Sequence, residues 1–153
     1  MFSLIFGTLA IAATALAESH TVNLVNNCGS GNAVFLYQGN STPRGSGTID
    51  GPVLGGVAWI DGSGSANCQS PGVTCGAVEF SLTNPGNTGT PNSAQYVLVP
   101  GNHQFTYRMN FAFTGSCSGV GAPGPCTGNV CPGASGEPVQ CVGEDVGIVI
   151  TFC

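Results

Sequence analysis

The chain has no lysine and only two arginines, Arg44 and Arg108, among 153 residues. Two cations cannot form the basic footprint that phosphate contacts need, which excludes a nucleic-acid partner. The same shortage excludes a polybasic membrane-surface module. Acidic groups are also sparse: seven Asp and Glu leave a net charge of −5, and charged residues make up 6% of the chain against a usual quarter. Sustained helical periodicity is missing, because 25 Gly and 10 Pro interrupt the chain too often. Past the N-terminal run, no stretch is apolar and long enough to cross a bilayer. The 42% of apolar residues, at low charge, favours collapse over disorder.

Phe2 to Leu16 reads FSLIFGTLAIAATAL and runs into the triplet Ala15-Leu16-Ala17, small at its two outer positions. An uncharged apolar run before an A-x-A site predicts a secretory signal peptide over residues 1–17. One mature domain then spans 18–153, and the expected location is extracellular or in a cell wall, with no membrane attachment after cleavage. Export gives the cysteines their meaning. Cys28, Cys68, Cys75, Cys117, Cys126, Cys131, Cys141 and Cys153 all follow the leader, and an even number in an oxidising compartment predicts a disulfide framework. Eight cysteines allow about 105 connectivities, and spacing alone does not choose among them. A zinc site needs close cysteine pairs with histidines nearby. The nearest pairs are Cys126/Cys131 and Cys68/Cys75, while His20 and His103 lie far from both, so neither a metal nor a cofactor is expected.

Short β-rich runs recur between Gly, Pro, Asn and Ser clusters, which predicts an all-β antiparallel sandwich with disulfide-stapled loops. Strands are expected at 21–26, 33–38, 57–60, 78–83, 95–99, 104–113 and 146–152. The cleanest is 104–113, where Phe105, Tyr107, Met109, Phe111 and Phe113 alternate with Gln104, Thr106, Arg108, Asn110 and Ala112. Strict period two marks a strand buried on one side. In the last run Val146, Ile148, Ile150 and Phe152 share one face. Segments 39–56, 62–76, 84–93 and 114–143 read as loops, the last of them a cysteine-rich region folded by its own bridges. Asn40-Ser41-Thr42 is an N-glycosylation sequon in the first of these loops.

Five stretches carry a family resemblance. TVNLVNNC (Thr21 to Cys28) opens the mature chain, AVEFSLT (Ala77 to Thr83), YVLVPGNHQF (Tyr96 to Phe105) and MNF (Met109 to Phe111) follow in order, and VITFC (Val149 to Cys153) closes it. Together they resemble the thaumatin-like proteins, and most closely the small secreted glycopeptides of that type in fungi. The resemblance implies a thaumatin-like sandwich whose first and last cysteines, Cys28 and Cys153, bridge to each other. Many members carry an acidic cleft, and some are weak endo-β-1,3-glucanases. The cleft glutamate falls on Glu79. The cleft aspartates fall near Gln95 and on Pro100, and neither residue can act as a general acid or base.

No other catalytic pattern is present: G-x-S-x-G, H-E-x-x-H and the phosphate-cradling G-x-x-x-x-G-K are all absent. The expectation is a non-catalytic secreted glycoprotein, a monomer, that binds β-glucan or an extracellular protein in defence, wall remodelling or an effector role. Tyr96, Glu79 and Tyr37 are its candidate carbohydrate-binding residues, and Glu79 and Arg108 form a candidate ion pair. Trp59, between Ala58 and Ile60, fits the core better than a sugar platform. The alternative is a weak endo-β-1,3-glucanase using Glu79 with a loop aspartate, Asp61 or Asp145. N-terminal sequencing of the exported protein is expected to begin at Glu18; a chain that still begins at Met1 contradicts the signal-peptide reading.

Overall fold

Period-two alternation sets which side of each strand is apolar, and the apolar sides of two sheets meet. The computed structural model describes residues 17–62, 76–98, 107–126, 131 and 137–153. Among these residues ten strands run in the order β1 (Ser19–Asn26), β2 (Asn32–Tyr37), β3 (Asn40–Arg44), β4 (Gly47–Asp50), β5 (Val53–Asp61), β6 (Gly76–Leu82), β7 (Asn92–Leu98), β8 (Met109–Thr114), β9 (Val139–Cys141) and β10 (Gly147–Phe152). A single helical turn, α1 (Pro85–Thr88), lies between β6 and β7. One sheet has the order β4-β1-β10-β8 and the other β3-β2-β5-β6-β7-β9. The all-β sandwich is therefore the fold. Its strands pair antiparallel except β1 with β10, which run parallel with Val22 opposite Ile148 and Asn26 opposite Phe152.

The core is the facing sides of the two sheets. The smaller sheet contributes Val22, Phe111, Phe113, Ile148, Ile150 and Phe152, all at most 2% exposed. Phe35, Ile60, Val78, Phe80, Leu82 and Tyr96 answer from the larger sheet, again at most 2% exposed. The alternation expected for the last strand is present, and Tyr107, Met109, Phe111 and Phe113 are buried while Arg108, Asn110 and Ala112 are exposed. Close approach has its own sequence signature at Gly56: a Cβ there would lie 2.7 Å from the Phe80 ring, so only glycine admits that side chain to the core.

The segment 39–56 is a correction to the sequence reading. It holds β3, β4 and the start of β5 rather than a loop. Pro43 hid β3, yet proline is tolerated on an edge strand, where its missing N–H breaks no ladder, and β3 is the edge beside β2. Gly39, at φ 88°, makes the tight turn that returns the chain from β2 into β3. Within 114–143, Val139–Cys141 is likewise a strand, β9.

Three bridges join described cysteines: Cys28–Cys153, Cys117–Cys141 and Cys126–Cys131. The first is the pairing that the family resemblance implied. Cys68, Cys75, His103, Val99, Pro100, Phe105 and the leader 1–16 lie outside the described residues.

Among the described residues, buried side-chain polar atoms are bonded with one exception. The Tyr107 hydroxyl accepts the Ile60 amide (3.1 Å) and donates to the Gly76 carbonyl (3.0 Å). His20, fully buried, donates from Nδ1 to the Val146 carbonyl (2.8 Å) and sets Nε2 against Glu18 Oε1 (2.9 Å). Glu18 Oε1 also accepts the Asn84 amide (2.6 Å), so the start of β1 is tied to the β6–β7 connection. The exception is Trp59, whose indole N–H is buried with no partner. Removing an unsatisfied donor costs little, whereas removing a hydroxyl that bonds two buried backbone groups takes a hydrogen bond from each. Trp59→Phe is therefore expected to change stability by less than about 1 kcal/mol, and Tyr107→Phe to lower it by about 1–3 kcal/mol. Urea unfolding followed by circular dichroism checks both; a larger loss from Trp59→Phe than from Tyr107→Phe contradicts this assignment.

Candidate functional site

The alternation that buries Val78, Phe80 and Leu82 turns Glu79 and Ser81 to the outer face of the larger sheet. Strand register then builds a row across that face. Glu79 lies opposite Val57 on β5 and opposite Gln95 on β7. Ser81 lies opposite Ser93, which lies opposite Gln140 on β9. Gln95 Nε2 donates to Glu79 Oε2 at 3.0 Å, so an amide holds the carboxylate in place. A hollow of about 170 Å³ opens over this group, lined by Glu79, Ser81, Ser93, Gln95 and Pro138. Acceptor, amide and hydroxyl side chains stand together there, which suits a ligand rich in hydroxyl groups.

A second carboxylate borders the same glutamine. Glu137 and Gln95 line a smaller hollow on the β7–β9 edge, with Pro123 and Val139. Sequence reasoning passed over Glu137 because it lies in a Gly/Pro-rich stretch without periodicity; only the pairing of β9 with β7 brings it to this edge. Toward the other end of the strands the face turns apolar. Leu36, Trp59 and Ala77 are buried there, packed with Val34, Val57 and Val97.

The three candidate sugar-binding residues do not converge. Tyr96 is 1% exposed and points into the core, where its ring meets Phe111 edge-on at 5.2 Å and its hydroxyl donates to the Gly124 carbonyl (2.9 Å). No ring face is left for a sugar, which corrects its assignment; burial also pushes its phenol up to about 12. Tyr37 is half-buried on the inner side of β2, stacked on Phe35 at 6.0 Å, away from the Glu79 face. Of the three, Glu79 alone lies on the outer face of the larger sheet. The Glu79–Arg108 pair is also corrected: Gln95 is the carboxylate's hydrogen-bond partner, and Arg108 is exposed beside β8 of the other sheet.

The two aspartates proposed as catalytic partners stand elsewhere. Asp61 lies opposite Asn32, four residues beyond the Val57 that faces Glu79, or about 13 Å along the strand. Paired glycosidase carboxyls need at most about 9.5 Å. Asp145 sits in the left-handed region (φ 49°) and is tied into the start of β1. Its Oδ1 accepts the Ser19 amide (3.1 Å) and the Asn84 side-chain amide (3.2 Å), and its own amide donates to Asn84 Oδ1 (2.6 Å). Among the described residues, no group of three His, Cys, Asp or Glu side chains is placed to hold a metal ion.

Those bonds hold the Asp145 carboxyl below the usual carboxylate value, the Ser19 amide contributing most and Asn84 next. A depressed acid stabilises the fold above its ordinary pKa, and that contribution is lost as pH falls through the folded value. Melting temperature is therefore expected to fall more steeply below about pH 4 in the wild type than in Asp145→Asn; equal slopes contradict the role given to this carboxylate.

No protein-family model, curated protein or solved structure matches the chain, so the outer face of the larger sheet is read from its own chemistry.

Proposed function

We propose that this is a secreted, thaumatin-like glycoprotein that works outside the cell without catalysis, binding β-glucan through the outer face of its larger sheet. The observation that carries the reading is the Glu79–Gln95 pair: the carboxylate expected to act as an acid is held by an amide, and neither proposed aspartate shares its hollow. The disulfides agree with an oxidising compartment. Because Tyr96 and Trp59 are buried and Tyr37 lies on the other side of its sheet, the described residues of this face offer hydrogen bonds without ring stacking. An extended polysaccharide that spans several strands suits such a face better than a single sugar. An extracellular protein is the other partner this surface admits.

A second reading has one observation in its favour. Glu137 and Glu79 border the same Gln95 from adjoining hollows, which supplies a weak endo-β-1,3-glucanase with a second carboxylate. Pull-down on insoluble β-1,3-glucan, run beside reducing-sugar release from the soluble polymer, separates the two. Binding without release, weakened severalfold by Gln95→Ala and Ser93→Ala together, is the expected result. Sugar release that disappears in both Glu79→Gln and Glu137→Gln replaces it with the hydrolytic reading.

A further inference from the structure

The β2–β3 hairpin sets the Asn40-Ser41-Thr42 sequon beside an aromatic ring. Tyr37 and Asn40 are Cα partners across it, with Gln38 and Gly39 alone between them. Directly opposite residues of an antiparallel pair point to the same side, their Cβ atoms about 5 Å apart. Phe35 and Arg44 are the next opposed pair, and they share a side: the Arg44 guanidinium lies over the Phe35 ring at 5.8 Å. Residues two apart on a strand also share a face. Phe35, Tyr37, Asn40 and Arg44 therefore form one group at the end of the hairpin.

Tyr37 and Asn40 are both half-buried. Phe35 stacks on the Tyr37 ring at 6.0 Å and 26°. Among the described residues no second ring meets Tyr37, and its hydroxyl has no hydrogen-bond partner. Asn40 Oδ1 accepts the Thr42 amide at 3.0 Å, the local turn that asparagine favours. That bond holds the side chain and leaves Nδ2, the atom that carries an N-linked glycan, without a protein acceptor among the described residues. Ser41 and Thr42, the rest of the sequon, are exposed.

We infer that Asn40 carries an N-linked glycan whose first sugar packs its C–H face on the Tyr37 ring and clamps the β2–β3 turn. A pyranose has an apolar face of C–H groups and a rim of hydroxyls, which matches an aromatic body with a polar tip. Attachment through Nδ2 makes the contact intramolecular, so the sugar meets the ring at high effective concentration. Tyr37 then serves the protein's own sugar rather than a free ligand, in keeping with its place on the inner side of β2, away from Glu79.

The inference rests on the secreted-glycoprotein reading, and the outcomes keep the two apart. The full-length precursor is expressed in a eukaryotic secretory host, and the exported protein is checked by intact mass and unfolded in urea. Four proteins form a double-mutant cycle: wild type, Thr42→Ala, which loses the glycan, Tyr37→Leu, and both changes together. Loss of the glycan is expected to raise the unfolding equilibrium constant about two- to tenfold when Tyr37 is present, and to leave it unchanged in the Tyr37→Leu background. Wild type trimmed to a single N-acetylglucosamine gives a readout that needs no substitution. Ring currents shift protons held over an aromatic face upfield, so the sugar's proton signals are expected upfield of those in the urea-unfolded protein. A precursor that is not exported defeats the secretory reading and this inference with it. An exported wild type without a glycan overturns the inference and leaves secretion standing. A glycan whose loss has the same effect in both backgrounds, or sugar signals that do not move, overturns the Tyr37 contact alone.

Discussion

The parallel pairing of the first strand with the last governs the rest of the molecule. β1 and β10 are the two central strands of the smaller sheet, and they meet in register over five residues, from Val22 opposite Ile148 to Asn26 opposite Phe152. Parallel neighbours need a long connection between them, and here nearly the whole fold is that connection. Cys28–Cys153 closes the pair at one end, across a sequence separation of 125. In the chain-entropy account, a crosslink over so long a loop stabilises by up to ~5 kcal/mol. At the other end, Glu18, Ser19 and His20 are bonded to Asn84, Asp145 and Val146. The two ties hold both ends of the β1–β10 pair, and the larger sheet packs against that platform.

That platform explains why the larger sheet can present an ordered polar face. Its inner side is committed to the core, so Glu79, Ser81, Ser93 and Gln95 are turned outward by register rather than by loop conformation. Sites carried on strands hold their geometry better than sites on loops. The same packing takes the aromatic candidates away. Tyr96 differs from Gln95 by one position, and that one position is the difference between the interior and the surface.

The sequence displayed the strands whose alternation is strong. Phe111 and Phe113 against Asn110 and Ala112, and Ile148 and Ile150 against Val149 and Thr151, can be read directly as an inner and an outer side. It concealed β3 and β4, because Pro43, Ser41 and Gly47 resemble loop residues until edge position is known. The burial of Tyr96 is hidden for a related reason: its hydroxyl is satisfied by Gly124, a partner 28 residues away, and no local pattern announces such a bond. Glu79 could be found by resemblance, but Glu137 could not, since only the pairing of β7 with β9 brings it to a hollow beside Gln95.

Non-reducing peptide mapping under acidic, denaturing conditions tests the locked-ends account most directly. One disulfide-linked species that joins the Cys28 peptide to the C-terminal peptide of Cys153 is the expected result. Cys28 recovered in a bridge to any other cysteine, or as a free thiol, contradicts it.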